Sequence, residues 1–290
     1  MLKTLQAEQP VPLSYSLSVV IPTYKEARRL PQTLREILDY LVPRFSKFEI
    51  IIVDDDSPDG TPQIVADFAR KYHQVRLITH PGKLGKGAAV RHGCLDAHSD
   101  YVLFMDADHA TPIAEVEMFF PHLAGQKKGA VVGMRTPQEG DSKFRRTISL
   151  ACKLLSHIIV FRKSVVDSQC GFKLFTAATA AQLFSYARVN GGMIDVELFF
   201  LMNKMGIPYH FVPVIWKNKP DSRINFLACA VRDPIELLRI RARDFTGFYN
   251  APVSTQSQPW NTRKPGNIHA HGGETVKTDP TDRSISPNLK

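Results

Sequence analysis

The chain has 290 residues, and 43% of them are hydrophobic, which is enough to bury one substantial core. Its formal net charge of +9 at pH 7 favours an anionic partner, such as a phosphate-bearing substrate, an acidic membrane surface or nucleic acid. Nucleic acid is not expected, because the sequence has neither zinc-ligand spacing nor an aromatic RNA-binding motif.

The cysteines and the apolar runs bear on the compartment. The sequence contains four cysteines without CxxC pairing or short disulfide spacing, so we expect reduced thiols in a cytosolic protein. Residues 1–15 lack the basic-then-apolar order of a signal peptide. No run of about 18 uncharged apolar residues occurs, and we therefore predict no membrane span.

The first predicted unit is a strand followed by a polar turn and a helix. Residues 17–21, Leu-Ser-Val-Val-Ile, are rich in β-branched side chains and lead into residues 22–26, Pro-Thr-Tyr-Lys-Glu. Residues 31–41 carry leucine and isoleucine at helical spacing, which predicts an amphipathic helix.

A second strand is predicted at residues 50–53, Ile-Ile-Ile-Val, and three aspartates at positions 54–56 follow it. A continuous apolar run of this kind is typical of a buried parallel strand. Thr61 is then a natural N-cap with Pro62 in the first helical position, and apolar residues continue at helical spacing.

Residues 80–87, His-Pro-Gly-Lys-Leu-Gly-Lys-Gly, form a predicted loop before the next helical segment. Its three glycines would let backbone amides approach an anion, and Lys83 and Lys86 would add positive charge. The spacing is not that of a Walker A loop, and an ordinary glycine-rich surface turn is the alternative.

A third strand, residues 101–105, ends in two carboxylates, Asp106 and Asp108. Their i and i+2 spacing places both side chains on one face of an extended chain. Like charges on one face repel, and Mg²⁺ relieves such an arrangement because it prefers one or two carboxylates plus phosphate oxygens. Two solvated acids at a strand end are the alternative. Thr111 and Pro112 then repeat the helix-start pattern.

Strands that alternate with helices predict an α/β fold with a doubly wound, Rossmann-like, mostly parallel sheet flanked by helices. In such sheets ligands bind outside the carboxyl ends of the strands, which is where the three polar motifs lie. We expect residues 14–249 to form this domain, residues 1–13 to be an N-terminal extension, and residues 250–290 to be a disordered tail, because they are rich in small and polar residues.

Two later segments have the pattern of basic amphipathic helices. Residues 144–163 place apolar side chains on one helical face, and residues 142–166 contain six basic residues and no acid. Residues 224–243 repeat the pattern, with Asp233 and Pro234 expected to divide the helix. Such helices lie in lipid interfaces, and packing on the core is the alternative.

Four motifs together resemble the inverting family 2 glycosyltransferases, which have the GT-A fold. The motifs are residues 22–26, 53–61, 85–91 and 106–108. Two further segments resemble the dolichyl-phosphate β-glucosyltransferase branch: residues 108–111, Asp-His-Ala-Thr, and residues 167–175, Asp-Ser-Gln-Cys-Gly-Phe-Lys-Leu-Phe. The resemblance extends from about residue 17 to residue 248.

The resemblance implies roles at matching positions. Asp106 and Asp108 would hold Mg²⁺ or Mn²⁺ against the diphosphate, and Asp108 would thereby act in catalysis. Arg135 and Arg223 would reach phosphate, for which a guanidinium is suited because it binds bidentately. Lys86 would contribute charge from the glycine-rich loop. The remaining residues would line the nucleoside pocket: Pro22, Tyr24, Glu26 and either Asp54 or Asp55.

Asp195 matches an Asp-Val-Glu-Leu segment of the family and has two interpretations. It is a candidate base if the acceptor is a sugar hydroxyl, because such a nucleophile must lose a proton. It is equally an acid at a helix N-terminus, stabilised by the helix dipole. An acceptor that is a lipid phosphate arrives anionic and needs no strong base.

The leading hypothesis from the resemblance is inverting, metal-dependent transfer of glucose from UDP-glucose to a polyprenyl or dolichyl phosphate. Mannosyl transfer from GDP-mannose, or transfer to a saccharide with Asp195 as base, is the alternative within the class. A nucleotide-sugar-binding or nucleotidyl-transfer protein and a non-catalytic, basic membrane-binding protein are the alternatives outside it. We expect a cytoplasmic protein in peripheral contact with the cytoplasmic face of a membrane.

Overall fold

The computed structural model describes residues 14–135, 169–217 and 226–253, and within residues 226–231 it describes the backbone only. Seven strands in this part of the chain form one sheet in the order β3-β2-β1-β4-β6-β5-β7. Only the pairings of β6 with β4 and β5 are antiparallel. The strands are β1 (Leu17–Thr23), β2 (Phe48–Asp54), β3 (Val75–Thr79), β4 (Tyr101–Met105), β5 (Ala130–Arg135), β6 (Phe172–Thr176) and β7 (Tyr209–Val214).

Helices cover both faces of the sheet. They are α1 (Leu30–Leu41), α2 (Thr61–Lys71), α3 (Lys86–Leu95), α4 (Ala177–Tyr186), α5 (Ile194–Met205) and α6 (Phe226–Phe245). Alternate residues of the strands enter different cores: Val20 packs with α3, α4 and α5 on one face, and Val19 and Ile21 pack with α1 on the other. The predicted α/β fold with a mostly parallel sheet flanked by helices is therefore confirmed.

The sheet register explains why the three polar motifs lie at one edge. β1 lies between β2 and β4 and runs parallel to both, and Thr23 is paired with Asp54. The segments after β1, β2 and β4 consequently leave the sheet side by side at their carboxyl ends. The prediction that three distant motifs share one edge is confirmed.

Three local expectations differ from the structure. Thr61 was expected to be the N-cap of α2, but it is the first residue of the helix, and Gly60, at φ 79°, is the N-cap. The Thr61 hydroxyl accepts a hydrogen bond from Glu26 N at 3.0 Å. After Pro112 the chain forms two short 3-10 helices, Ile113–Met118 and Phe120–His122. Pro234 lies inside a continuous α6 and does not divide it, because burial of Leu237 and Ile240 offsets the one backbone hydrogen bond that a proline removes.

Several expectations fall on residues outside the described ranges: the amphipathic segment 144–163, Arg223, the N-terminal extension and most of the tail. Among the helices that the structure describes, none combines the length and the apolar character needed to cross a membrane.

Candidate active site

The turn after β1 presents an aromatic ring and several charges at the sheet edge. Pro22 and Tyr24 are half-buried there, and Lys83 Nζ lies 3.6 Å from the centroid of the Tyr24 ring. The carboxylate of Glu26 accepts two hydrogen bonds from Arg29, at 2.7 and 2.8 Å. The structure therefore places Pro22 and Tyr24 at the surface of the site, whereas Glu26 has its carboxylate on a neighbouring arginine.

Asp54 and Asp55 are buried, with exposed fractions of 0% and 3%. Asp54 accepts from the backbone N–H and the hydroxyl of Ser57, at 2.8 and 2.6 Å, and so shapes its own turn. Asp55 accepts from the backbone N–H groups of Leu84 and Gly85, both at 2.8 Å, and also contacts His80 Nδ1 at 2.9 Å. Both aspartates thus hold loops in place at the predicted nucleoside pocket.

The glycine-rich loop binds the protein's own acceptors. In addition to the two amides on Asp55, the N–H groups of Gly87 and Ala88 donate to Asn190 O at 2.7 and 3.3 Å. A Cβ on Gly87 would lie 2.4 Å from Val189 O, so the approach requires glycine. The expectation that these amides face a substrate anion is wrong for all four of them, because each already has an acceptor within the protein.

Behind the loop, two histidines extend the contacts of Asp55. His80 Nε2 lies 3.2 Å from His92 Nδ1, and the two rings stack with an interplanar angle of 2°. Burial opposes ionisation of Asp55, but His80 and the two loop amides outweigh it and hold the pKa of Asp55 below its usual value. Burial, reinforced by His80, lowers the pKa of His92 to about 4.

Lys86 projects from the first residue of α3 into a group of carboxylates. Its Nζ lies 2.9 Å from Asp106 Oδ1 and 3.7 Å from Asp195 Oδ2. Burial opposes its charge, but the carboxylates of Asp106, Asp195 and Asp108 outweigh burial and raise the pKa of Lys86. The predicted Lys86, Asp106 and Asp195 are therefore one cluster, which we call the lysine–aspartate cluster.

Lys173, which the sequence analysis did not predict as a site residue, also belongs to this cluster, because its ammonium group contacts Asp195. It lies in β6, is fully buried, and donates from Nζ to Asp195 Oδ1 and to Cys170 O, each at 2.5 Å. Asp195 itself is 2% exposed in the first turn of α5. Its use as a base stays a prediction, but in this structure its carboxylate lies between two ammonium groups.

Asp106 and Asp108, which follow β4, are both partly open to solvent. The Asp106 side chain is 40% exposed, and Asp108 is half-buried with Oδ1 accepting from Ala110 N at 3.0 Å. Within the described residues no group of three or more His, Cys, Asp or Glu side chains converges on one point. Two accessible carboxylates at a strand end nevertheless suit Mg²⁺ or Mn²⁺, because such ions take their remaining ligands from water and a substrate's phosphates.

The structure describes only one of the two predicted arginines. Arg135 is half-buried at the end of β5, with its Cζ 5.6 Å from the centroid of the Trp216 ring. Arg223 lies outside the described residues.

Gly171 controls the position of Asp106. Asp106 N donates to Gly171 O at 3.1 Å, and a Cβ on Gly171 would lie 2.0 Å from Asp106 Oδ2. We expect Gly171→Ala to push the carboxylate aside and to lower Mn²⁺ affinity and transfer activity by about 10- to 100-fold, with little loss of stability. The measurements are Mn²⁺ titration by electron paramagnetic resonance and a thermal melt.

Gly191→Ala is the matched control for Gly171→Ala, because a Cβ there meets no atom within 4 Å. Its Mn²⁺ affinity should equal that of the wild type. Equal affinities in both variants would show that Gly171 does not position the carboxylate.

A mostly parallel α/β sheet with accessible carboxylates, a lysine and an arginine at one edge defines an α/β protein with candidate ligand-binding groups at the carboxyl ends of its strands. Residues 18–185 match the family model described as Glycosyl transferase family 2. The chain belongs to glycosyl transferase family 2.

Curated relatives of similar sequence include several dolichyl-phosphate β-glucosyltransferases. The chain is 34% identical over 237 residues to one from Trichomonas vaginalis, covering 77% of this chain and 72% of that protein. The enzyme of Saccharomyces cerevisiae is 31% identical over 254 residues, covering 80% and 76%. The enzyme of Homo sapiens is 33% identical over 249 residues, covering 80% and 77%.

Solved structures of similar fold include glucosyl-3-phosphoglycerate synthase from Mycobacterium tuberculosis. One crystal structure of it superposes with a TM-score of 0.59 at 18% identity, covering 79% of this chain and 81% of that one. A second, in complex with Mn²⁺, UDP and phosphoglyceric acid, gives 0.58 at 20% identity, covering 79% and 78%. The GT-A fold expected from the motifs is thereby confirmed.

Proposed function

We propose that this glycosyltransferase moves a hexose, glucose from UDP-glucose, to a polyprenyl or dolichyl phosphate with inversion. The observation that carries the proposal is the accessible carboxylate pair Asp106 and Asp108 beside Lys86, at the sheet edge of a family 2 chain. The curated relatives support the choice of reaction, since they are named dolichyl-phosphate β-glucosyltransferases over more than two thirds of both chains.

The donor would bind along the carboxyl ends of β1, β2 and β4. Asp106 and Asp108 would hold Mg²⁺ or Mn²⁺, which when bound neutralises charge on a departing diphosphate. Lys86 adds a positive charge beside them, and Arg135 and Arg223 are the candidates for phosphate contacts. Tyr24 offers a half-buried ring next to Pro22 for a nucleoside.

The environment of Asp195 supports an acceptor that needs no base. A general base must come within hydrogen-bond distance of the hydroxyl it deprotonates, but the Asp195 side chain is 3% exposed and already accepts from Lys173. A phosphate monoester arrives as an anion, so Asp195 is free to position Lys86 and Lys173. Such a lipid acceptor would bring the protein to the cytoplasmic face of a membrane as a peripheral, cytoplasmic enzyme.

A donor screen tests the proposal. Purified protein is mixed with Mg²⁺ or Mn²⁺, a short-chain polyprenyl phosphate, and radiolabelled UDP-glucose or GDP-mannose, and both nucleotide release and the lipid product are measured. We expect UDP release and a lipid-linked glucose. Lipid-linked mannose would assign GDP-mannose as the donor in place of UDP-glucose. Nucleotide release without any lipid-linked sugar would contradict the lipid acceptor.

A further inference from the structure

The outer face of α6 carries a line of exposed apolar side chains. Ile235 is 45% exposed, Leu238 59% and Phe245 95%, and Phe248 in the turn after the helix is 60% exposed. Positions 235, 238 and 245 follow helical spacing, so they lie along one side of α6. We call these four side chains the α6 stripe.

The opposite side of α6 fixes the helix on the core. Leu237 and Ile240 are buried with α5, and Lys204 Nζ bonds Asp244 Oδ1 at 2.6 Å. Beyond the helix, the buried Tyr249 hydroxyl donates to Glu197 at 2.6 Å. Core packing therefore accounts for one side of α6 and leaves the stripe on the other.

Arginines border the stripe, and the acids of the helix are less exposed than these arginines. The side chains of Arg232, Arg239 and Arg241 are 55%, 60% and 41% exposed. Their acidic neighbours Asp233, Glu236 and Asp244 are only 11%, 13% and 24% exposed. Each arginine pairs with one of these acids: Arg232 with Asp233 at 3.5 Å, Arg239 with Glu236 at 2.5 Å and Arg241 with Asp244 at 3.3 Å. Solvent on this side therefore meets apolar side chains bordered by the basic member of each pair, which is the more exposed one.

The beginning of this face lies near residues 190–192, the segment that contacts the start of α3. A Cβ on Gly192 would meet Arg232 Nη2 at 3.8 Å, and Gly192 belongs to the segment whose Asn190 carbonyl receives the first amides of α3. Arg232, which borders the start of the stripe, therefore lies near the segment that contacts the start of α3.

We propose that the α6 stripe is a docking surface for an anionic lipid bilayer, with Leu238, Phe245 and Phe248 in the interface and the bordering arginines at the headgroups. Apolar side chains flanked by basic ones are the pattern by which helices lie in the plane of a charged membrane interface. The inference rests on the proposed function only in that a lipid acceptor requires a membrane nearby. A second copy of the chain fits less well, because a two-fold contact through the stripe would bring the arginines of both copies together.

Vesicle flotation of the full chain tests the docking surface. We expect the wild type to float with vesicles of phosphatidylcholine and phosphatidylserine, and to float at least about tenfold less with phosphatidylcholine alone. The double variant Leu238→Gln/Phe245→Gln should lose about tenfold or more of the binding to the charged vesicles. Arg239→Gln should weaken binding to the charged vesicles by a smaller factor, and should make that binding less dependent on salt concentration.

The control is Val42→Gln/Met118→Gln, which removes two exposed apolar side chains, 55% and 44% exposed, from another part of the surface. It should float as the wild type does. Wild-type protein that floats with neither vesicle, or a Leu238→Gln/Phe245→Gln variant that floats like the wild type, would overturn the proposal. A dimer that this variant converts to a monomer would assign the face to a second copy instead.

Activity separates this inference from the proposed function. The Leu238→Gln/Phe245→Gln variant should keep wild-type transfer to a short, water-soluble polyprenyl phosphate and lose it to a long-chain acceptor embedded in charged vesicles. Loss with both acceptors would show damage to the fold and overturn the stripe as a docking surface. If neither acceptor is glycosylated by the wild type, the proposed function fails while flotation still decides the docking surface.

Discussion

Asp108→Asn is expected to lower kcat/KM for glycosyl transfer by about a thousandfold, equivalent to about 4 kcal/mol of transition-state stabilisation. The asparagine side chain preserves the shape and can still accept the 3.0 Å bond from Ala110 N. What it loses is one of the two negative charges that would hold Mg²⁺ or Mn²⁺ at the end of β4. The measurements are UDP release and, independently of turnover, Mn²⁺ titration in the presence of UDP.

Asp56→Asn is the matched control for Asp108→Asn, because it removes a charge that follows β2 at the same edge of the sheet. Asp56 is exposed at φ 61°, a conformation that asparagine tolerates as well as aspartate does. Its kcat/KM should stay within about twofold of the wild type. Comparable losses in the two variants would mean that negative charge at this sheet edge matters in general, and that Asp108 has no specific role.

Lys173→Met should lower the free energy of unfolding by about 3–5 kcal/mol, because it leaves the buried Asp195 carboxylate without its nearest counter-ion. The pair is almost inaccessible, with side chains 0% and 3% exposed and 2.5 Å apart. The measurement is the urea midpoint at constant slope. In the double variant Lys173→Met/Asp195→Asn the loss should be smaller than the sum of the two single losses, because no unpaired charge is left behind.

Lys204→Met provides the comparison, since Lys204 and Asp244 form a pair of similar length, 2.6 Å, with side chains 33% and 24% exposed. Water can solvate the Asp244 carboxylate that remains, so Lys204→Met should lower the free energy of unfolding by no more than about 1 kcal/mol. Additive losses in the Lys173 and Asp195 variants would show that the two side chains stabilise the protein independently.

Several strands and helices could be predicted because the sequence patterns that specify them are local. The apolar run of β2 indicated a buried parallel strand, the β-branched residues of β1 indicated a strand, and α1 appeared within one residue of its predicted start. Since parallel strands end at the same edge, the positions of Asp54, Asp106 and the residues after β1 followed from the strand predictions. Family membership was indicated by the same motifs.

The partners of the charged groups could not be predicted in this way. Asp55 was correctly placed at the strand end, yet its oxygens receive amides from residues 84 and 85, about 30 positions away. Lys173 lies in the buried sequence Phe-Lys-Leu-Phe, which signals that a lysine must find a buried partner but not which one. Asp233 and Pro234 were expected to divide the helix, but α6 is continuous because the residues after Pro234 pack on the core.

The sequence by itself determined strands β1, β2 and β4, helices α1 and α2, and the edge where the acids gather, because apolar periodicity and strand direction are properties of short segments. Only the tertiary structure decided that Lys86 lies against Asp106, that Asp195 is held by Lys173, and that Asn190 receives the amides of α3. These contacts join residues from 20 to about 100 positions apart on different elements. A buried charge takes the counter-ion that the packing of the sheet and helices brings within reach, and no local pattern encodes that choice.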